Sequence, residues 1–299
     1  MATKAVAEPA GELAPQFFAG SFQRGLAHWN RERLAPGFPS DDWQKTLERD
    51  LTMLRLEGGF MEALRAEVSE QAAAAPTTPD EFIDWFEALK QTGPGQGDPL
   101  FPWIAEQASL EEMRWFLRQE AAGEAGFDDL VAMTQVKLPA GPKLELARNY
   151  WDEMGRGNPK GMHGPMLEVL VNCLDLKASI ETTVWESLAV ANAMTAMAST
   201  RRYAWHSVGA LGAIELTAPG RSACTAAALE RLGLSHRERR YFELHAVLDV
   251  KHSEAWNHEA LRPLVAEDPR RAAAIAEGAL IRLNCGKRCF ERYRAELWV

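Results

Sequence analysis

The apolar and polar positions of this chain follow a helical pattern almost throughout its 299 residues. Alanine, leucine, glutamate, arginine and methionine dominate, and runs of β-branched residues are scarce. No segment alternates apolar and polar residues as a half-buried strand does. The pattern therefore predicts an all-α protein. The predicted helices lie near residues 40–57, 61–73, 78–90, 100–108, 110–135, 142–154, 162–174, 181–202, 207–216, 221–232, 235–259 and 269–297.

Local signals mark where several of these helices begin and end. Ser235 followed by Glu238 is a capping box, in which the two side chains satisfy backbone N–H groups of the first helical turn. Clusters of glycine and proline end helices, because glycine favours turns and proline cannot continue a helix. One such cluster at 93–99 predicts a boundary between a helical N-terminal extension, residues 1–95, and a helical bundle, residues 96–299.

Composition places the chain among ordinary globular proteins, with 46% hydrophobic and 25% charged residues. Its 33 basic and 42 acidic residues give a net charge of −9, and an acidic protein repels the phosphate backbone of nucleic acids. No segment has the apolar length of a signal peptide or a membrane span. We therefore expect a cytoplasmic protein that acts on small molecules and binds neither nucleic acid nor membrane.

The most informative segment, 241–252, places three metal-binding side chains on one helix face. His245, Asp249 and His252 are spaced i, i+4 and i+7, so at about 100° per residue they fall within about 60° of arc. The helix is predicted to be buried because its neighbouring residues are apolar, namely Leu244, Val247, Leu248 and Val250. An ionised carboxylate in an apolar core needs a partner. The stripe is therefore either a metal site or a structural cluster in which the histidines hydrogen-bond the aspartate.

Carboxylates on other predicted helices favour the metal site. Glu215 lies inside an otherwise apolar helix, Glu153 lies beside aromatic residues at a helix end, and His163 follows it after a glycine-rich turn. Glu120 and Glu124 share one helix face. Carboxylates and imidazoles that project from several helices into a bundle core are how helical proteins hold two iron or manganese ions. The Glu-x-x-His pair of ferritin-like proteins is absent from the sequence, which argues against that fold.

Four stretches of the sequence resemble the haem-oxygenase-like di-iron oxidases and oxygenases, which are also called iron-containing redox enzymes. The His-x3-Asp-x2-His string is the most specific feature, and a histidine after the glycine-rich turn resembles the family's N-oxygenating branch. The first hundred residues match nothing in the family. The four stretches are FLRQEAAGEAGFDD, WDEMGRGNPKGMH, GALGAIELT and HAVLDVKH.

This resemblance implies a haem-oxygenase-like helical bundle that holds two iron ions and takes dioxygen as co-substrate. In the family, dioxygen is reduced to a peroxide that bridges the two ferric ions, with electrons from an external reductant. Some members add a carboxylate ligand from the first core helix, for which we prefer Glu120 to Glu124. The metal ligands implied in this way are Glu120, Glu153, His163, Glu215, His245, Asp249 and His252. Asp152, Tyr150 and Tyr241 are candidates for orienting the histidines.

The resemblance also implies an oxygenase of a small-molecule biosynthetic pathway, and we expect it to N-oxygenate an amine. The acidic net charge suits a cationic amine. Two alternatives stay open. One is oxidative C–C or C–N cleavage of a fatty or amino acid at the same di-iron site, and the other is a helical binding protein without enzymatic activity. The expected partners are the small-molecule substrate, an electron-donor protein or small reductant, and a second copy of the chain in a homodimer.

Overall fold

The computed structural model describes residues 15–39, 42–124 and 126–297, and their side chains except at 15 and 122–124. Within these ranges the chain forms helices and turns and no strand, which confirms the all-α prediction. None of these helices is both long and apolar enough to cross a membrane. The α-helices are α1 (Gly20–Leu34), α2 (Trp43–Ala73), α3 (Pro79–Thr92), α4 (Leu100–Glu106), α5 (Leu110–Glu124), α6 (Phe127–Thr134), α7 (Ala140–Glu153), α8 (His163–Cys173), α9 (Trp185–Ser199), α10 (Ala204–Arg231), α11 (His236–Ala255), α12 (Arg262–Glu267) and α13 (Arg271–Leu297), and a π-helical turn at Trp256–Leu261 joins α11 to α12.

Several helix boundaries at glycine and proline differ from those that the sequence predicts. The helix predicted at 110–135 is broken at Gly126, which has a left-handed φ of 97° that favours glycine. Conversely, Gly58 lies inside α2 and Pro219 lies inside α10, so two predicted pairs of helices are each continuous. The sequence pattern does not predict α1, because glycines and polar residues interrupt its apolar face. Packing against neighbouring helices thus overrides local preference in these segments.

The long helix α10 is central to the bundle and packs chiefly against α11 and α13. Its backbone approaches that of α13 closely at two glycines. A Cβ atom on Gly209 would lie 1.9 Å from the carbonyl oxygen of Ile275, and a Cβ on Gly278 would lie 1.9 Å from that of His206. Residues larger than glycine therefore cannot occupy these positions without moving the helices apart. The contact fixes the position of α10, which carries Glu215.

Two clusters of buried apolar side chains hold the helices together. The first joins the N-terminal helices to the bundle, because Leu26, Phe60 and Phe86 share it with Leu211 and Ile275. The second links α4, α5 and α8 with the C-terminal part of α13. The predicted N-terminal extension therefore packs directly on the helices that carry the candidate ligands. The domain boundary near residue 95 stays a prediction.

Candidate metal centre

The polar stripe on α11 faces the interior of the bundle. Asp249 and His252 are 3% and 7% exposed, whereas Val247 is 67% exposed. The expectation that the apolar residues of this helix are buried is therefore wrong for Val247 and for Val250, which is 41% exposed. Burying a carboxylate and an imidazole in place of valines costs free energy unless partners compensate. The buried stripe therefore requires polar partners from the helices that surround it.

Glu153, His163 and His245 form the first group of metal-binding side chains. Glu153 ends α7, His163 begins α8, and His245 lies on α11. The Nδ1 atom of His163 lies 2.7 Å from Glu153 Oε2 and 3.1 Å from His245 Nε2. One ligand atom from each residue lies within 4.8 Å of the other two. Three helices thus bring two nitrogens and a carboxylate oxygen close enough to bind one metal ion.

The glycine-rich turn between α7 and α8 brings Glu153 next to His163. Gly155 and Gly157 have φ angles of 60° and 82°, which favour glycine. A Cβ atom on Gly155 would lie 2.3 Å from the carbonyl carbon of Gly161. Any side chain at residue 155 would therefore push the two sides of the turn apart. The turn is tight enough to hold the first group only because glycine occupies this position.

Glu215, Asp249 and His252 form the second group, and all three are buried. Their ligand atoms also lie within 4.8 Å of one another, and His252 Nδ1 lies 3.5 Å from Glu215 Oε2. Asp249 follows His245 of the first group by one turn of α11. The two groups are therefore neighbours, joined by the stripe that the sequence predicts.

Hydrogen bonds behind the histidines select the nitrogen that each presents. His245 Nδ1 lies 2.7 Å from the backbone oxygen of Tyr241, which can only accept, so Nδ1 donates and Nε2 faces the first group. His252 Nε2 lies 3.1 Å from Asp152 Oδ2. Its Nδ1 atom is buried and faces the second group, where Glu215 Oε2 is 3.5 Å away, and it makes no shorter hydrogen bond within the described part of the chain. Metal-ligating histidines are typically oriented in this way. Tyr150, the third candidate for this role, packs against the first hydrophobic cluster.

Asn149 is a further hydrogen-bond partner of the second group. Asn149 donates a hydrogen bond of 2.6 Å from Nδ2 to Glu215 Oε1. Burial lowers the pKa of His252, but the carboxylates of Glu215 and Asp152 outweigh burial and raise that pKa to about 9. The imidazole is therefore protonated on both nitrogens at neutral pH when no metal is bound. A bound metal ion would displace the proton on Nδ1. The sequence analysis missed Asn149, although its i, i+4 spacing from Glu153 on α7 is a signal that could have located it.

Glu120 stands apart from both groups. It accepts a hydrogen bond of 2.7 Å from the Tyr293 hydroxyl, and it lines the same cavity as the candidate ligands. The side chain of Glu124, the alternative, lies outside the described residues. The structure therefore brings six of the seven predicted ligands into two groups and places the seventh on the wall of the cavity. Glu120 as a ligand stays a prediction.

The residues of the two groups fit iron. Imidazole nitrogens and carboxylate oxygens form the donor set that non-haem iron uses. The buried Nδ1 atom of His252 lies 3.5 Å from Glu215 Oε2, beyond a short hydrogen bond, and a metal ion bound by both residues would satisfy it.

A cavity of about 100 Å³ opens beside the two groups. Glu153, His245, Glu215 and Asp249 form part of its wall, so both groups contribute to it. Most of the remaining wall is apolar or aromatic, as in typical small-molecule sites. This part of the wall includes Phe101, Phe116, Phe127, Met194, Ile214 and Phe290.

Comparisons with known proteins bear on the family and the fold of this chain. The model of the iron-containing redox enzyme family matches residues 114–287, more than half of the chain, and this range contains both groups. A comparison with curated proteins finds no match. The crystal structure of a CADD-like protein of unknown function from Nostoc punctiforme PCC 73102 has the same fold, with 15% identity and a TM-score of 0.53 over 80% of this chain and 99% of that chain. The chain therefore belongs to the family of iron-containing redox enzymes.

Proposed function

We propose that this protein is an O2-dependent, non-haem di-iron oxygenase that N-oxygenates an amine. The observation that carries the proposal is the pair of adjoining histidine–carboxylate groups on the wall of one largely apolar cavity. Sites that hold two metal ions in this way can position a substrate against both ions. The N-oxygenating branch is supported by His163 in the first group, since a histidine at this position resembles that branch.

Iron bound at these groups would supply the redox chemistry with dioxygen. The residues that would hold it are Glu153, His163 and His245 for one ion and Glu215, Asp249 and His252 for the other. To bind, the carboxylates must be ionised and the imidazoles must lose the proton on the ligating nitrogen. The hydrogen bonds from His245 to Tyr241 and between His252 and Asp152 keep the ligating nitrogens aimed inward.

The charge of the protein and the lining of the cavity both suit an amine. The net charge of −9 attracts a cationic amine to the protein from solution. Burial among aromatic side chains then favours the neutral amine, because an apolar environment penalises the charged form. Only the neutral amine has the lone pair that N-oxygenation requires. The reaction places one oxygen atom of O2 on nitrogen and releases the other as water, consuming two electrons and two protons from outside the protein.

The test is to load the protein anaerobically with Fe(II), count iron per chain, and follow visible absorption after mixing with oxygen. We expect about two iron ions per chain, and hydroxylamine products from one or more members of an amine panel. His252→Ala and Glu215→Ala should lose tight iron binding while keeping their helical circular dichroism. The matched control is His236→Ala, because His236 is an exposed histidine of the same helix that pairs with Glu243. It should bind iron like the wild type.

Other outcomes distinguish the alternative functions. Products in which a C–C or C–N bond of a fatty or amino acid is broken, with no N–O bond formed, would assign oxidative cleavage to the same site. Absence of iron uptake would instead support the alternative of a helical binding protein without enzymatic activity. Unchanged iron stoichiometry in both His252→Ala and Glu215→Ala would refute the ligand assignment.

A further inference from the structure

The helix α13 presents one face to the cavity, and that face carries a single charged residue. The face consists of Arg282, Gly286, Cys289, Phe290 and Tyr293, which recur at helical spacing and all line the cavity. The candidate metal ligands come from α7, α8, α10 and α11, whereas α13 packs mainly on α2, α9 and α10. The guanidinium of Arg282 therefore enters the cavity from a different wall than the metal-binding groups.

Arg282 has no anionic partner among the residues that the structure describes. Its Nε atom is buried and makes no hydrogen bond, and its guanidinium forms no ion pair with a described carboxylate. By contrast, Arg288 on the same helix donates to both carboxylate oxygens of Glu67 at 2.6 and 2.7 Å. Glu120, an acid of the same cavity wall, accepts a hydrogen bond from the Tyr293 hydroxyl. A partly buried cation without a partner is costly unless a ligand supplies the anion.

The surroundings of Arg282 leave room for a ligand and add positive charge. The guanidinium lies against residue 286, where a Cβ atom would be 2.9 Å from Arg282 Nη1, and it borders the cavity. Arg221 of α10 also lines the cavity, with its guanidinium carbon 5.6 Å from the centroid of the Phe290 ring. Because Phe290 belongs to the same face of α13, both arginines border this part of the cavity.

We infer that Arg282 binds a carboxylate of the substrate, while the amine nitrogen of the same molecule lies at the metal-binding groups. The planar guanidinium presents paired N–H donors that match the two oxygens of a carboxylate. The substrate class is then a small amino carboxylate rather than a simple amine. The amine half of this inference rests on the proposed function, whereas the carboxylate half rests on Arg282 and its surroundings.

The experiment is an anaerobic calorimetric titration of the Fe(II)-loaded protein, so that binding is measured without turnover. The probes are γ-aminobutyrate, δ-aminovalerate and ε-aminocaproate, each compared with the alkylamine of the same chain that lacks the carboxylate and with the carboxylate that lacks the amine. We expect at least one amino carboxylate to bind more tightly than its alkylamine. Arg282→Gln should weaken that binding about ten- to a hundredfold and leave alkylamine binding unchanged.

Two further variants separate a binding role from a structural one. Arg282→Lys keeps the charge but loses the paired donors, so it should bind the amino carboxylate with intermediate affinity. The matched control is Arg292→Gln, because Arg292 lies on the same helix, pairs with Glu296 and does not line the cavity. Its affinity for every probe should equal that of the wild type. The Tm of Arg282→Gln should not fall, since the substitution removes an unpaired charge.

The outcomes are distinct from those that test the proposed function. Equal binding of amino carboxylates and alkylamines by the wild type, or equal weakening of both by Arg282→Gln, would overturn the role of Arg282. If simple amines are oxidised as readily as amino carboxylates, the role of Arg282 would also be overturned, whereas the proposed N-oxygenation would stand. Conversely, tight binding through Arg282 without any N–O product would refute N-oxygenation and leave the carboxylate site standing.

Discussion

Replacing Gly209 by alanine should force α10 and α13 apart. The added Cβ would lie 1.9 Å from the carbonyl oxygen of Ile275 and 2.7 Å from its carbon. Carbon–oxygen contacts between packed backbones are normally no closer than about 3.3 Å. Both clashing atoms belong to backbone, so no change of side-chain rotamer relieves the overlap. To restore a contact of about 3.3 Å, the two helices must therefore separate by about 1 Å or more.

The cost is the difference between two opposing effects. Overpacking of a close contact costs about 1–3 kcal/mol, and a backbone clash belongs at the upper end. Alanine is favoured over glycine inside a helix by about 1 kcal/mol. We therefore expect the free energy of unfolding to fall by about 2 kcal/mol net. Because Glu215 lies on the displaced helix, iron affinity should fall as well.

Urea unfolding followed by circular dichroism measures the change. The matched control is Gly58→Ala, since Gly58 lies inside α2 and a Cβ there meets no atom within 4 Å. That variant should be more stable than the wild type by about 0.5–1 kcal/mol. Equal stabilisation in Gly209→Ala and Gly58→Ala would refute the argument that close backbone packing holds α10 in place.

Three further predictions concern the metal centre and the polar core. Asn149→Leu should weaken iron binding about 10- to 100-fold in chelator competition, because it removes the hydrogen bond to the second group, and unchanged affinity would count against this role. Gly155→Ala should open the turn that holds the first group, so iron should fall from about two ions to about one per chain, and a full complement would contradict the turn argument. Burial disfavours the ionised form of Glu277, but hydrogen bonds from His206 and Arg65 outweigh burial and hold its pKa below the usual value. Its stabilisation is therefore present above about pH 4.3 and is lost as the pH falls through the lower folded-state pKa. Glu277→Gln should lower the unfolding free energy at pH 7 by about 1–3 kcal/mol and flatten its dependence on acid pH, and an unchanged pH profile would contradict the assignment.

Local features were predictable because they depend on residues close together in the chain. The capping box of Ser235 and Glu238 forms at the start of α11 as its spacing predicts. The i, i+4, i+7 spacing of His245, Asp249 and His252 places them on one face of that helix whatever surrounds it. The all-α class follows in the same way, from helix-forming residues and the absence of alternating segments.

Helix boundaries were less predictable, because packing competes with local preference. Gly126 lies between two helices, as the N-cap of α6, whereas Gly58 lies inside α2, although both are glycines within helical sequence. Pro219 lies inside α10 despite the backbone hydrogen bond that proline cannot make. At Gly58 and Pro219 the contacts of the whole helix outweigh the preference of one residue.

By itself, the sequence determined the helical class, the starts of several helices and which polar residues share a helix face. Only the tertiary structure decided which faces meet. It buries the α11 stripe while leaving Val247 exposed, joins Glu153, His163 and His245 from three helices, and adds Asn149 behind Glu215. The physical reason is that hydrogen bonding and propensity along a helix are local, whereas contacts between helices depend on how all their side chains pack together.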